Sequence, residues 1–152
     1  MKFVFQNFII YMNRLELKVR RLSSYAKLPT RAYNGDLGYD LYAAERHIIN
    51  PSEQTAVGTG ISVELPEGWG GVIKDRSSMA MKMIYTSAGV IDNGYRGEIK
   101  VLLRNNSKEP FKIELGDKIA QMVPIKLIDW EIIEADIQDS DRNTNGFGSS
   151  GK

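Results

Sequence analysis

No stretch of this chain sustains an apolar face at i, i+3, i+4 and i+7 over several turns, so its core cannot be assembled from amphipathic helices. What it offers instead are short alternating or apolar runs, punctuated by Gly, Pro, Asn and Asp. Strands are expected over residues 15–19, 38–43, 55–57, 61–65, 69–74, 89–92, 98–103, 111–115, 119–124 and 129–134. Gly58 and Gly60 signal a bend or bulge, and Pro66-Glu67-Gly68 a turn. Asn93-Gly94 between two apolar runs is the strongest short-range hairpin signal and predicts that 89–92 and 98–103 pair. The one expected helix is short, residues 77–82. The class is therefore all-β, a sandwich, jelly roll or barrel, with no internal repeat.

A length of 152 residues fits one domain with a real core. Lys and Arg number 20 against 19 Asp and Glu, a formal net charge of +1. That balance argues against a dedicated duplex-DNA binder but leaves room for a few Arg to converge on a small phosphorylated ligand. The absence of Cys excludes disulfides, zinc–thiolate sites and Cys nucleophiles, and one His excludes a multi-His metal site. Any metal used should be a hard, oxygen-ligated ion such as Mg²⁺. Residues 1–11 are apolar but too short to span a bilayer, and no small-residue cleavage site follows. They read as an extension, disordered or from an upstream start, before a β domain over residues 12–135 of a cytoplasmic protein. Residues 136–152 are rich in Gly, Ser, Asn and Asp, the composition of a flexible C-terminal arm.

Five segments carry candidate chemistry. In GYDLYAA, Asp40 lies in an apolar strand, either as a water-facing edge residue or as a carboxylate aimed at a metal ion. In DRSSMAMK, Arg76, Ser77 and Ser78 open the short helix, where N–H groups, hydroxyls and a guanidinium suit phosphate; ordinary N-capping beside a surface Arg is the alternative. In AGVIDNGYRGE, Asp92 and Tyr95 bracket a tight turn: plain hairpin residues, or a general base and a flat wall under a ring. In GDKIAQMVP, Gln121 sits in an apolar strand and needs a partner, structural or ligand. The tail DRNTNGFGSSGK mimics two nucleotide fingerprints, but both require a strand before and a helix after, and the Gly-rich run here ends at Lys152. Its glycines and Ser149 and Ser150 still suit an anion, and Phe147 is odd unless it covers something; a disordered tail is the alternative.

In this order the five segments resemble the five motifs of the trimeric dUTPase family, from Gly35 to Gly151. GVIDNGYRGEIKVLLRN and the GFGSSG tail are the most specific; Asp75, Ser78, Asn143 and Asn145 depart from the family's usual Pro, Gly, Gly and Gly. The resemblance implies three jelly-roll-like subunits that share active sites, a Mg²⁺ cofactor, and hydrolysis of dUTP to dUMP and pyrophosphate. It implies that Asp92 is the general base for water attack on the α-phosphorus and that Asp40 holds the metal through water. Arg76 and Ser77 would contact the phosphates with Ser78 beside them, Gln121 would contact the phosphate chain or an ordered water, and Arg142, Gly148, Ser149, Ser150 and Gly151 would clamp the γ-phosphate. The backbone of Ala88, Gly89 and Val90 would pair with uracil, Tyr95 would underlie deoxyribose, and Phe147 would stack on the base.

Three rivals remain on the sequence. A dCTP deaminase-like enzyme resembles this fold, but the strand Ile99-Lys100-Val101-Leu102-Leu103-Arg104 lacks the Glu such an enzyme carries there. A non-catalytic nucleotide-binding regulator would not need Asp92 and the tail together. A structural jelly-roll protein would bind no nucleotide.

Overall fold

The computed structural model describes residues 15–141 and Asn143. In chain order it contains β1 (Lys18–Arg21), β2 (Tyr39–Tyr42), β3 (His47–Ile49), β4 (Gln54–Gly58), β5 (Ile61–Glu64), β6 (Trp69–Lys74), α1 (Ser77–Ala80), β7 (Ile84–Thr86), β8 (Val90–Ile91), β9 (Lys100–Asn105), β10 (Phe111–Ile113) and β11 (Lys118–Lys126). All pairings are antiparallel. The main sheet runs β2-β11-β6-β8, a second runs β4-β9-β7, and β1-β5 and β10-β3 form two ribbons. The expected all-β class with one short helix holds, although the strands form four separate sheets among the described residues rather than one closed barrel.

Alternation explains the inner faces. In β9, Val101, Leu103 and Asn105 are buried while Lys100 and Arg104 are exposed, the period of two that a half-buried strand requires. Leu41, Ile49, Val57, Ile84 and Ile113 join them in a core closed to water. Asn105 is tolerated there because its amide is fully used: Nδ2 donates to the Ile49 and Glu109 carbonyls, each at 2.8 Å, and Oδ1 accepts from Ser107 N–H at 2.9 Å.

Two strand expectations fail, each for a readable reason. The runs flanking Asn93-Gly94 do not pair: β8 joins β6, whereas β9 lies between β4 and β7. Tyr95 N–H bonds to Asp92 O at 3.0 Å, which makes Asn93 and Gly94 the central turn residues, yet neither has positive φ. A two-residue hairpin turn of the favoured type I′ needs positive φ at both; without it the flanking strands splay. Residues 129–134 form no strand, and Trp130 and Ile132 stand 75% and 94% exposed, so their alternating pattern finds no sheet within one chain.

Candidate active site

The main sheet organises the site. On β11, Gln121 is the direct partner of Asp40 on one side and of Lys74 on the other. Paired residues share a face, so Asp40 and Gln121 project together. Gln121 Nε2 donates to Asp75 O at 2.9 Å and so holds the backbone just before Arg76. A side chain at Gly38 would overlap Gln121 Oε1, which explains the glycine ahead of Tyr39.

Arg76 leaves β6 in an extended conformation (φ −85°, ψ 140°) and opens α1 without a side-chain cap. Its Nε donates to Asp40 Oδ1 at 2.9 Å, and Nη1 donates to Ser78 Oγ at 3.2 Å and Lys118 O at 3.3 Å. Since α1 is a single four-residue turn, the anion-binding potential here comes from Arg76 and the hydroxyls more than from a helix dipole. Asp75, where a Pro was expected, accepts from Thr86 N–H and Oγ1 and ties the start of this turn to β7. Ser78 does not crowd Arg76; it orients it.

Lys118 is the residue the sequence reading missed. Its Nζ lies 2.7 Å from Asp40 Oδ2, so both carboxylate oxygens of Asp40 carry a cation. Asp40 raises the Lys118 pKa, chiefly by hydrogen bonding and then by its charge. A β-bulge places Lys118 there: β11 slips against β2 between Lys118 and Ala120, which lets Ile119 and Ala120 both enter the core while Lys118 faces the same side as Asp40. In strict alternation Lys118 would face inward with Ala120. Two consecutive apolar residues after a Lys, breaking the period of two, were the available signal.

Asp40, Arg76, Ser77, Lys118 and Gln121 line a cleft of about 300 Å³, overhung by Asp36. Ser78 lines an adjoining cleft of about 260 Å³ that shares Arg76 and Lys118. A groove of about 380 Å³ elsewhere is larger, but none of these groups lines it, only Arg96 comes to it from the third segment, and its Lys18 and Glu64 pair with each other. Chemistry rather than volume selects the first cleft.

The Asp92 turn is elsewhere. Ala88 and Gly89 have φ of 62° and 113°, and Gly89 O accepts from Ile73 N–H at 2.7 Å. A Cβ at Gly89 would meet Ile73 Cβ at 2.7 Å, so only glycine fits this close approach. Ala88 and Val90 are exposed beyond it. Asn93 Nδ2 donates to Pro66 O at 2.7 Å and Trp69 O at 2.8 Å, pinning the turn, while Tyr95 Oη donates to Glu98 O at 3.0 Å. Asp92 is exposed. Asn93→Ala should destabilise the fold by about 1–2 kcal/mol, because the half-buried Pro66 and Trp69 carbonyls lose the amide that ties the turn to them; a lowered urea midpoint at unchanged slope checks it.

β2 and β8 are opposite edges of the main sheet. Three interstrand steps across and about four residues along separate Asp92 from Asp40, roughly 20 Å at usual strand spacings. One chain thus gathers Asp40, Arg76, Ser77, Ser78 and Gln121 but does not bring Asp92, Tyr95 or Ala88–Val90 to them. Arg142, Phe147, Gly148, Ser149, Ser150 and Gly151 lie outside the described residues.

Fold and cleft define a jelly-roll-like β protein whose Arg76 and serine hydroxyls suit phosphate. A family model described as dUTPase matches residues 24–151. Deoxyuridine 5'-triphosphate nucleotidohydrolase of Alkaliphilus metalliredigens is 42% identical over 139 residues, 89% of this chain and 96% of that protein. The human mitochondrial protein of the same name is 42% identical over 140 residues, 91% of this chain and 56% of that one. Among solved structures, a mutant Staphylococcus bacteriophage 80alpha dUTPase with dUpNHpp superposes with a TM-score of 0.82 at 29% identity, covering 90% of this chain and 99% of that one. A mutant dUTPase from phage phi11 of S. aureus, described with a structural Mg(II) ion, gives 0.76 at 28% identity, with 82% and 99% covered. The chain belongs to the dUTPase family, and it is an enzyme that hydrolyses dUTP.

Proposed function

We propose that the chain works as a homotrimer, converting dUTP to dUMP and pyrophosphate at sites where Asp92 of one copy stands over the phosphate cleft of another. The separation of Asp92 from Asp40 and Arg76 across the main sheet carries this reading: neither edge alone is an active site, and a second copy is the nearest source of the missing half. The exposed apolar run with Ile128, Trp130, Ile132 and Ile133 supports assembly, since a lone chain leaves it facing water.

Arg76 and Ser77 bind the phosphate chain, and Gln121 keeps Arg76 aimed through its hold on Asp75. Asp92 accepts the proton of a water that attacks the α-phosphorus, and the bond to pyrophosphate breaks. No three carboxylate or histidine groups converge among the described residues. With Asp36 and Asp40 alone in the cleft, the donor set fits an ion that keeps its waters and shares triphosphate oxygens, as Mg²⁺ does. Asp40 would hold it through water, and when bound it would offset charge on the leaving pyrophosphate. Arg142, Ser149, Ser150 and the backbone at Gly148 and Gly151 complete the γ-phosphate clamp, and Phe147 covers the base, as residues 136–152 close over a neighbour's site. A role in nucleotide-pool hygiene follows, limiting uracil in DNA and supplying dUMP. None of the described helices is long and apolar enough to cross a membrane.

The backbone at Ala88–Val90 selects uracil by pairing with its polar edge, and cytosine is rejected because its exchanged donor leaves groups unpaired, a discrimination of about 10⁴-fold or more. Release of pyrophosphate, against ammonia, from dUTP, dCTP, dTTP and UTP with and without Mg²⁺ tests the whole reading: pyrophosphate from dUTP alone is expected, and ammonia from dCTP would replace it with a deaminase. Tyr95 underlies the sugar and excludes a 2′-hydroxyl. Tyr95→Ala should therefore raise kcat/KM for UTP relative to dUTP by about 10-fold or more; an unchanged ratio removes the sugar-wall role.

A further inference from the structure

Asp40 meets its metal role with a cation already on each oxygen. Oδ1 accepts from Arg76 Nε at 2.9 Å and Oδ2 from Lys118 Nζ at 2.7 Å. The two cations differ. Arg76 is fixed by further bonds to Ser78 Oγ and Lys118 O, whereas the Lys118 ammonium is held in the cleft by Asp40 alone among the described residues, its other neighbour being the Tyr42 ring at 5.9 Å. Its side chain is also the more exposed, 37% against 26% for Arg76. An ammonium on a flexible stem is a compact charge that can leave and return; a forked guanidinium is not. The bulge in β11 keeps Lys118 on the face of Asp40, and Lys118 also borders the adjoining cleft, so it has somewhere to go.

We propose that Lys118 is an exchangeable counter-cation for Asp40: in the free enzyme its ammonium caps Oδ2, and it swings off when a magnesium-bound triphosphate enters, while Arg76 stays on Oδ1. The inference rests on the reading of Asp40 as the metal's carboxylate. Its consequences are concrete. Lys118 keeps the empty cleft from trapping free divalent ions, because an ion without its triphosphate must displace the ammonium and gains no phosphate contacts in return. The released ammonium remains beside the phosphates as a further positive group.

The test titrates Mg²⁺ into full-length enzyme with α,β-imido-dUTP and reads analogue binding by calorimetry, so that no turnover is involved. Lys118→Gln should lower the Mg²⁺ midpoint by about 3- to 10-fold, Lys118→Arg, whose forked guanidinium leaves Asp40 less readily, should raise it, and Lys82→Gln, which removes a like charge from the adjoining cleft, should shift it by less than about twofold. An unchanged or raised midpoint in Lys118→Gln overturns the proposal, as does an equal shift in Lys82→Gln, which would reduce the effect to general field. In the wild type, the Lys118 side-chain amine resonance should move on adding Mg²⁺ with the analogue and hold still with the analogue in EDTA. This decides the matter even if Lys118→Gln does not fold, and an amine resonance blind to Mg²⁺ overturns it. Asp40→Asn separates the two layers. A raised midpoint there with a flat Lys118→Gln sinks only the exchange; an unmoved midpoint in Asp40→Asn removes the metal role of Asp40 and the exchange with it.

Discussion

Asp92→Asn is expected to lower kcat by about 10²- to 10⁴-fold, the usual contribution of a positioned general base, while the folded protein survives. The substitution keeps the shape of the side chain and removes its capacity to take a proton. Little else should change, because Asp92 is exposed and its turn is held by other atoms: its own carbonyl accepts from Tyr95 N–H, and Asn93 anchors the loop to the 66–69 turn. The thermal midpoint should therefore stay within a few degrees, since a surface change away from a packing or capping role costs about 0.5 kcal/mol or less. Continuous measurement of pyrophosphate release, with analogue binding as a control for the ground state, separates the outcomes. A lost kcat with retained analogue affinity is the signature of a group used in the transition state. Near-normal kcat would take Asp92 out of the base role and send the search to Asp36, the other carboxylate over the cleft.

Where local chemistry decides structure, the sequence was legible. The alternation of β9, the apolar run of β6 and the helical turn at Ser77 are all where pattern and turn residues put them. The short strands β3 and β7 were not foreseen, for three residues carry too little pattern to stand out. The Asn93-Gly94 turn misled because the dipeptide favours a hairpin only when its φ angles turn positive. Here the Asn93 amide is committed to the Pro66 and Trp69 carbonyls, and tertiary bonding overrides the local preference. The apolar run after residue 128 misled differently, since alternation states that a strand wants a partner and not that the same chain supplies one.

The site divides along the same line. Residue types in motif order singled out Asp40, Arg76, Ser77 and Gln121 as candidates, and the β2-β11-β6 register brings them to one cleft. Their connections were not legible. Gln121 steadies the backbone of Asp75 from 46 positions away, Lys118 reaches Asp40 only through a one-residue bulge, and Ser78 orients Arg76 through the geometry of the turn they share. A bulge is a single skipped residue, and the period that reveals a strand is blind to it until a charged residue is found on the wrong face.

Mixing two dead enzymes should give a live one. Arg76→Ala should lose about 10²- to 10³-fold in kcat/KM, because it removes a fixed cation from the phosphates and leaves Asp40 with Lys118 alone. Asp92→Asn is dead for its own reason. If the two residues serve one site within a chain, no mixture of these variants contains an intact site, and activity stays at the sum of the parents. If Asp92 of one copy works over Arg76 of another, subunits exchanged at equal ratio by mild denaturation and refolding will place a good base over a good cleft in about a quarter of sites, because each half is wild type with even odds. Recovery to about that fraction of wild-type turnover, against parents at a hundredth or less, is a signal of more than tenfold with no new contact introduced. The proposal of shared sites rests on the distance across the main sheet: no rotamer of Asp92 crosses the roughly 20 Å to Asp40, the carboxylate that holds Arg76, as a side chain of that size reaches only a few ångström from its strand. Activity that never rises above the parents, in mixtures shown by mass spectrometry to contain hybrids, would mean that the sheet's two edges serve different ends.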